Sequence, residues 1–317
     1  MTRKELAVFL LLGALCAIVA IASPQFLSAA NLQNLARLVG FYGIFSIGVG
    51  MVIITGGIDL SVGSICALLG VLLSMMLVDW GWPAGAALAA VVLLGSCLGA
   101  VHGMLIARLG LQPFIVTLCG LLLYRGAARW VAEDSTKGFG TAEGFEWMRA
   151  LASGSVSGVP MPFVLMCVVA AMAWVLLHRS VYGRHLFAVG HNVEATRYSG
   201  VDTRAVIAWA YVFSGTLAAV SAILIAFYTN SISPASHGNF YELYAIAAAV
   251  VGGCSLRGGE GSVLGIVMGA ALLQVLRNLV NLLDIPGSLD FAVMGAVILI
   301  GAMADQLFGR RLRRSGA

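Results

Sequence analysis

The chain is 317 residues long, with 60% hydrophobic residues, 10% charged residues and a formal net charge of +4. Soluble domains carry about 25% charged residues, so this composition describes an integral membrane protein and leaves little sequence for a soluble domain. The basic residues are scattered through short loops with no aromatic platform between them, which excludes a nucleic-acid-binding surface.

Apolar runs of roughly 18 residues or more can cross a hydrocarbon core of about 30 Å as helices. They predict ten spans, near 6–23, 36–55, 60–78, 83–107, 112–131, 160–178, 205–228, 242–255, 261–280 and 290–307. The expected fold is an all-α polytopic helix bundle, one transmembrane domain over 1–317, with glycine pairs breaking the second, third, eighth and ninth spans. The first span follows Arg3 and Lys4 and is long for the apolar core of a secretory signal, so it reads as a retained anchor rather than a cleaved leader. The longest loop on the outer side is 132–159, and the longest on the inner side is 179–204. With Met1 in the cytoplasm, ten crossings return the C terminus there. All of the 18 Lys and Arg residues except Arg37, Arg125, Arg129, Lys137, Arg149 and Arg277 then fall on the cytoplasmic side, as the positive-inside rule requires.

The stretch TGGIDLSVGS, residues 55–64, places a carboxylate within membrane-spanning sequence. A charge near the bilayer centre costs about 2.5–3.5 kcal/mol on insertion scales, so Asp59 is expected to face protein or water. Gly56 and Gly57 let the backbone leave helical geometry, and Asp59 with Ser61 can cap the following helix. Two readings stay open: a structural cap closing a broken helix, or a direct part of a polar pathway. A second segment, YAIAAAVVGGCSLRGGEGSVLGIVMGAALL, repeats the order of aromatic start, small-residue run, glycine break (Gly258 and Gly259 among them) and second helix, which hints at internal duplication. Gly265 and Gly269 form a G-x-x-x-G pattern suited to close helix approach. His102 reads as a satisfied interfacial histidine or as a member of a proton relay.

The inner loop is more than a connector. Gly183, Gly190 and Gly200 punctuate it, Arg184 lies within it, and NVEATRYSG reads as a short helix with Asn192 as N-cap, Glu194 in the first turn and Gly200 as the stop. Such a helix offers a docking surface to a soluble partner.

The chain resembles the permease subunits of bacterial ABC importers for monosaccharides, the ribose, xylose, arabinose and galactofuranose group. The motif TGGIDLSVGS carries the likeness, joined in order by PQFLSAANLQNLARL, QPFIVTLCGLLLYRGAARWV, YGRHLFAVGHNVEATRYSGV and YELYAIAAAVVGGCSLRGGEGSVLGIVMGA, from about Pro24 to Asp305. The resemblance implies a ten-helix importer permease in the bacterial inner membrane, paired with a second copy or a paralogue. It implies that the loop from Gly183 to Gly200, with Glu194, Ala195 and Gly200 at positions like the Glu-Ala and Gly of the family's coupling element, couples to a cytoplasmic ABC ATPase, which carries the ATP and Mg, and that a periplasmic sugar-binding protein delivers the solute. SLRGGEGS departs from relatives around Arg257 and Glu260, and His237 and Asn239 in SISPASHGNFYEL match no family role.

The chain has two lysines, Lys4 and Lys137, and neither sits in a G-x-x-x-x-G-K-[ST] loop, so it lacks the means to cradle ATP phosphates by that route. Glu133 with Asp134, and His191, Asn192 with Glu194, have neither metal spacing nor a paired acid and base. No catalytic residue, bound cofactor or metal site is expected, and Cys16, Cys66, Cys97, Cys119, Cys167 and Cys254 suggest no disulfide framework. An ion-coupled transporter using Asp59, or an importer for another small polar solute such as a quorum-signal furanone, are the alternatives.

Overall fold

The computed structural model describes residues 3–140 and 144–284, with isolated positions beyond. The described residues are helical almost throughout, with one short hairpin of β1 (Ser155–Val156) and β2 (Val159–Pro160) among them. Among the described residues eight helices are long and apolar enough to cross a membrane. They are α1 (Arg3–Ala22), α2 (Ala29–Ile54), α3 (Val62–Ser74, continued by a π turn over Met75–Asp79), α4 (Ala84–Ala107), α5 (Pro113–Val131), α7 (Met161–His178), α10 (Thr203–Thr229) and α12 (Val263–Leu282). Shorter helices are α6 (Glu146–Ser153), α8 (Val181–His191), α9 (Val193–Tyr198) and α11 (Tyr241–Val251).

Eight of the ten expected spans are therefore present. The segment 242–255 forms the 11-residue α11, about 16 Å long at 1.5 Å per residue, which is half a crossing. The expected span at 290–307 lies almost wholly outside the described residues. The loop 132–159 is also more than a connector: α6 and the hairpin occupy its second half, and the Arg37 guanidinium donates to the Ser153 carbonyl at 3.0 Å.

Contacts sort the helix ends onto two faces. On one, Lys4 pairs with Glu260 at 2.7 Å and the Gly259 amide donates to the Ile54 carbonyl at 2.9 Å. On the other, Asn31 and Asn278 exchange hydrogen bonds, Lys137 reaches Asp79 at 3.2 Å, and Lys137 pairs in antiparallel fashion with Ile232. These are called the Lys4 face and the Asp79 face below.

The centre of the bundle is α2, buried along nearly its whole length, with α10, α11, α12 and α7 around it, whereas α1, α4, α5 and α7 turn most of their surface outward. Helices surrounded by lipid gain little from the hydrophobic effect, so small residues that allow close backbone approach hold them together. Gly95 and Gly99 of α4 lie against the backbone of Gly215 and Tyr211 of α10, and Gly265 and Gly269 of α12 lie against that of Gly252 and Ala248. The G-x-x-x-G pattern thus serves α11 to α12 packing. Side-chain caps fix several starts: Ser28 accepts from the Asn31 amide, Asp202 from Ala205 and Ser262 from Gly265.

Candidate functional site

The first break follows α2. Gly56 adopts φ +83°, which ends the helix, and residues 57–61 run without helical structure into the bundle before α3 begins. This path carries Asp59 to the middle of α10, where it is 1% exposed. One carboxylate oxygen accepts from the Ser61 amide at 3.0 Å and the Ser61 hydroxyl at 2.6 Å; the other accepts from the Ser214 hydroxyl at 2.7 Å. Ser61 occupies the N-cap position of α3, but its hydroxyl is given to Asp59 and makes no cap bond to the helix. The carboxylate, two positions upstream, therefore fixes the cap residue itself rather than accepting from the free amides of α3 as the sequence suggests.

A carbonyl of this non-helical segment is also satisfied: Ile58 accepts from Thr117 of α5 at 3.2 Å and from the Tyr211 hydroxyl of α10 at 3.4 Å. Behind Ser61, the His102 ring has its Nδ1 at 3.5 Å from the Ser61 oxygen and its Nε2 at 2.9 Å from the Tyr124 hydroxyl. With Ser61 donating to Asp59, one consistent donor order runs from Tyr124 to His102, then to Ser61 and Asp59. Thr117, Tyr124, Tyr211 and Ser214 went unnoticed in the sequence because single hydroxyls are ordinary in long apolar helices.

The second break lies between α11 and α12. Gly253, Gly258 and Gly259 take φ of +96°, +84° and +78°, and the turn is closed by the Ser255 amide donating to the Glu260 carbonyl at 3.1 Å. This turn sits on the first one. Gly258 lies beside the Gly56 backbone, and Gly259 donates to Ile54. The end of α8 completes the junction: a methyl group at Gly190 would collide with the Ile54 carbonyl and the Gly259 amide. Gly56, Gly190, Gly258 and Gly259 are thus one backbone-on-backbone contact on the Lys4 face, whereas Gly57 turns toward the Tyr211 hydroxyl.

The rest of the loop 179–204 projects from this junction. Ser180 caps α8 by accepting from the Gly183 amide at 3.1 Å, and Gly183 is pressed against the Leu177 carbonyl at the tight turn from α7. Tyr182 donates to the Val206 carbonyl at 3.1 Å, and burial pushes its phenol above its ordinary range. Asn192 caps α9 by accepting from the Ala195 amide at 2.9 Å, and Gly200, with φ +84°, ends it. Apart from the buried Thr196, α9 is exposed all round. It presents Glu194, paired with Arg197 at 3.1 Å, and Tyr198 at 82% exposure. Arg184 is exposed on α8.

A third feature was not expected. After α10 ends at Asn230, the chain pairs with Lys137 on the Asp79 face through Ile232 and then turns back into the bundle to start α11. Arg125 of α5 holds this segment, donating to the Pro234 carbonyl at 3.0 Å and the His237 carbonyl at 2.6 Å. Gly238 lies backbone against backbone with Gly63 in the first turn of α3, and the buried Glu242 carboxylate, in the first turn of α11, lies beside Gly63. The N-terminal ends of α3 and α11 therefore meet inside the bundle, each with a carboxylate close by, Asp59 and Glu242, as helix dipoles favour. The sequence did hold a signal here: an apolar run too short to span, and Arg125 set well inside the largely apolar α5. Among the described residues no group of three or more His, Cys, Asp or Glu side chains converges as a metal site would require.

Comparison with known proteins gives a concordant picture. Residues 31–302 match the family model described as branched-chain amino acid transport system / permease component. The ribose import permease protein RbsC of Haemophilus influenzae is 35% identical over 96% of this chain and 93% of its own length; that of Escherichia coli K12 is 37% identical over 96% and 94%. The xylose transport system permease protein XylH of Escherichia coli K12 is 31% identical over 97% and 93%. No solved structure matches.

Proposed function

Because this chain belongs to the branched-chain amino acid transport system permease component family, we propose that it is the membrane-embedded permease of an ATP-driven importer for a monosaccharide. The full-length likeness to ribose and xylose permeases supports a sugar over an amino acid as cargo. The chain is a multi-pass inner-membrane protein, and its Lys4 face is the cytoplasmic one in this reading, with both termini there.

The observation that carries the mechanism is the contact of Gly190 with Ile54 and Gly259. A cytoplasmic ABC ATPase, holding ATP and Mg, docks on the exposed α9. Its closure moves α8, and α8 bears directly on both glycine turns with no flexible side chain between. Backbone pressed on backbone transmits displacement stiffly, so α3, which follows the first break, and α11, which ends at the second, shift together between two access states. ATP engagement has to favour one of those states. Asp59 then acts as a structural tie, because both of its oxygens are already committed to Ser61 and Ser214; an ion carrier would need one free. A second copy or a paralogue completes the path, and a periplasmic sugar-binding protein supplies solute.

The test is uptake by cells stripped of their own sugar and branched-chain amino acid importers and given this chain with its ATPase and binding protein. Labelled pentose or hexose should accumulate while leucine does not. Leucine accumulation without sugar uptake would overturn the choice of cargo.

A further inference from the structure

The turn at 234–240 is irregular backbone held deep in the bundle. Gly238 touches Gly63, whereas the Ser74 hydroxyl, farther along α3, donates to the Gly138 carbonyl at the Asp79 face. The distance from Gly63 to Ser74 along the helix is about 16 Å at 1.5 Å per residue. At that depth Ser236, Asn239 and Phe240 are exposed, Phe240 by 43%. Non-helical backbone at this level does not face hydrocarbon, which offers it no hydrogen bonds; it is tolerated only within protein or along a water-filled cavity.

We infer that this turn is the solute-contacting surface of the path, built for an uncharged polyhydroxylated ring; the inference rests on the importer reading above. The Asn239 carboxamide and Ser236 hydroxyl both donate and accept, as sugar hydroxyls do, and the Phe240 ring offers an apolar face to the C–H side of a pyranose or furanose. None of the three is charged, which suits a contact that must release its cargo. The surface is also rigid. Arg125 anchors the turn through the Pro234 and His237 carbonyls, and Phe240 is held at φ +66°, a conformation rare for an aromatic residue and kept only where the surroundings impose it. Within the same turn His237 is only 9% exposed, yet its Nε2 has no hydrogen-bond partner among the described residues.

The experiment uses the complex of this chain with its ATPase and binding protein in proteoliposomes, with the six cysteines replaced and either Asn239→Cys or Ser236→Cys introduced. A charged, membrane-impermeant thiosulfonate should modify both positions, and the transported sugar should slow the reaction. Asn239→Ala in the native chain should cut uptake about tenfold, as for one lost hydrogen bond, and change the preference between a pentose and a hexose. Absence of modification at both positions would mark a dry contact between permease copies and overturn the inference. So would modification that sugar does not slow, or wild-type rate and preference in Asn239→Ala. A wild-type complex that accumulates no sugar would instead count against the importer reading, and the labelling, which needs no transport, still decides whether the turn meets water.

Discussion

Replacing Asp59 separates a structural tie from an ion carrier. The carboxylate accepts three hydrogen bonds from Ser61 and Ser214 in a site that is 1% exposed. Bonds to a charged acceptor contribute about 1.5–3 kcal/mol each, and a buried donor left unmade costs about 1–3 kcal/mol. In Asp59→Ala the Ser214 hydroxyl can turn to a carbonyl of its own helix, but the Ser61 amide has nowhere to go, so a net loss of about 3–5 kcal/mol is expected. Asp59→Asn keeps one oxygen for both Ser61 donors, and its new amide can donate to Ser214 with the direction reversed; the loss should stay near 1–2 kcal/mol. Thermal unfolding of the purified permease in lipid nanodiscs, read beside uptake, should rank wild type above Asn and Asn well above Ala, with transport largely kept in Asn. Equal damage from the two substitutions, or an Ala variant as stable as wild type, would refute the tie; loss of transport in a stable Asn variant would point to the charge itself.

Gly190→Ala should force the junction apart, since its methyl meets the Ile54 carbonyl and the Gly259 amide. Overpacking of this kind costs about 1–3 kcal/mol, and the ratio of sugar moved to ATP hydrolysed should fall with it; an unchanged ratio and midpoint would remove the junction from the mechanism. Glu194→Lys alters an exposed residue of α9, so the unfolding midpoint should stay within the roughly 0.5 kcal/mol of a surface change while transport-linked ATPase activity drops, and full coupled uptake would contradict docking there. Ser157→Cys, at the exposed tip of the hairpin, should react with an impermeant thiol reagent in spheroplasts; reaction only after the membrane is opened would reverse the assigned orientation.

The sequence made local features plain and hid those assembled from distant parts. Long apolar runs located eight crossings to within several residues, because length and hydropathy are sufficient for a helix in lipid. The capped α9, with Asn192 before it and Gly200 after, was equally legible, since both signals act within one turn. The meeting of Gly190 with Gly258 was not, because a contact between two backbones leaves no side-chain pattern to read. Ser214, 155 positions beyond Asp59, looked like any serine in a membrane helix. The depth of the inward turn before α11 was hidden for a similar reason: it is set by Arg125 and Gly63, on two other helices.

The most direct measurement compares proteoliposomes holding this chain alone with proteoliposomes holding the chain, its ATPase and its binding protein, each given labelled sugar, with and without ATP on the Lys4 face. Sugar should concentrate against its gradient only in the full complex and only with ATP. Uphill accumulation by the chain alone, driven by a proton or sodium gradient, would contradict the account.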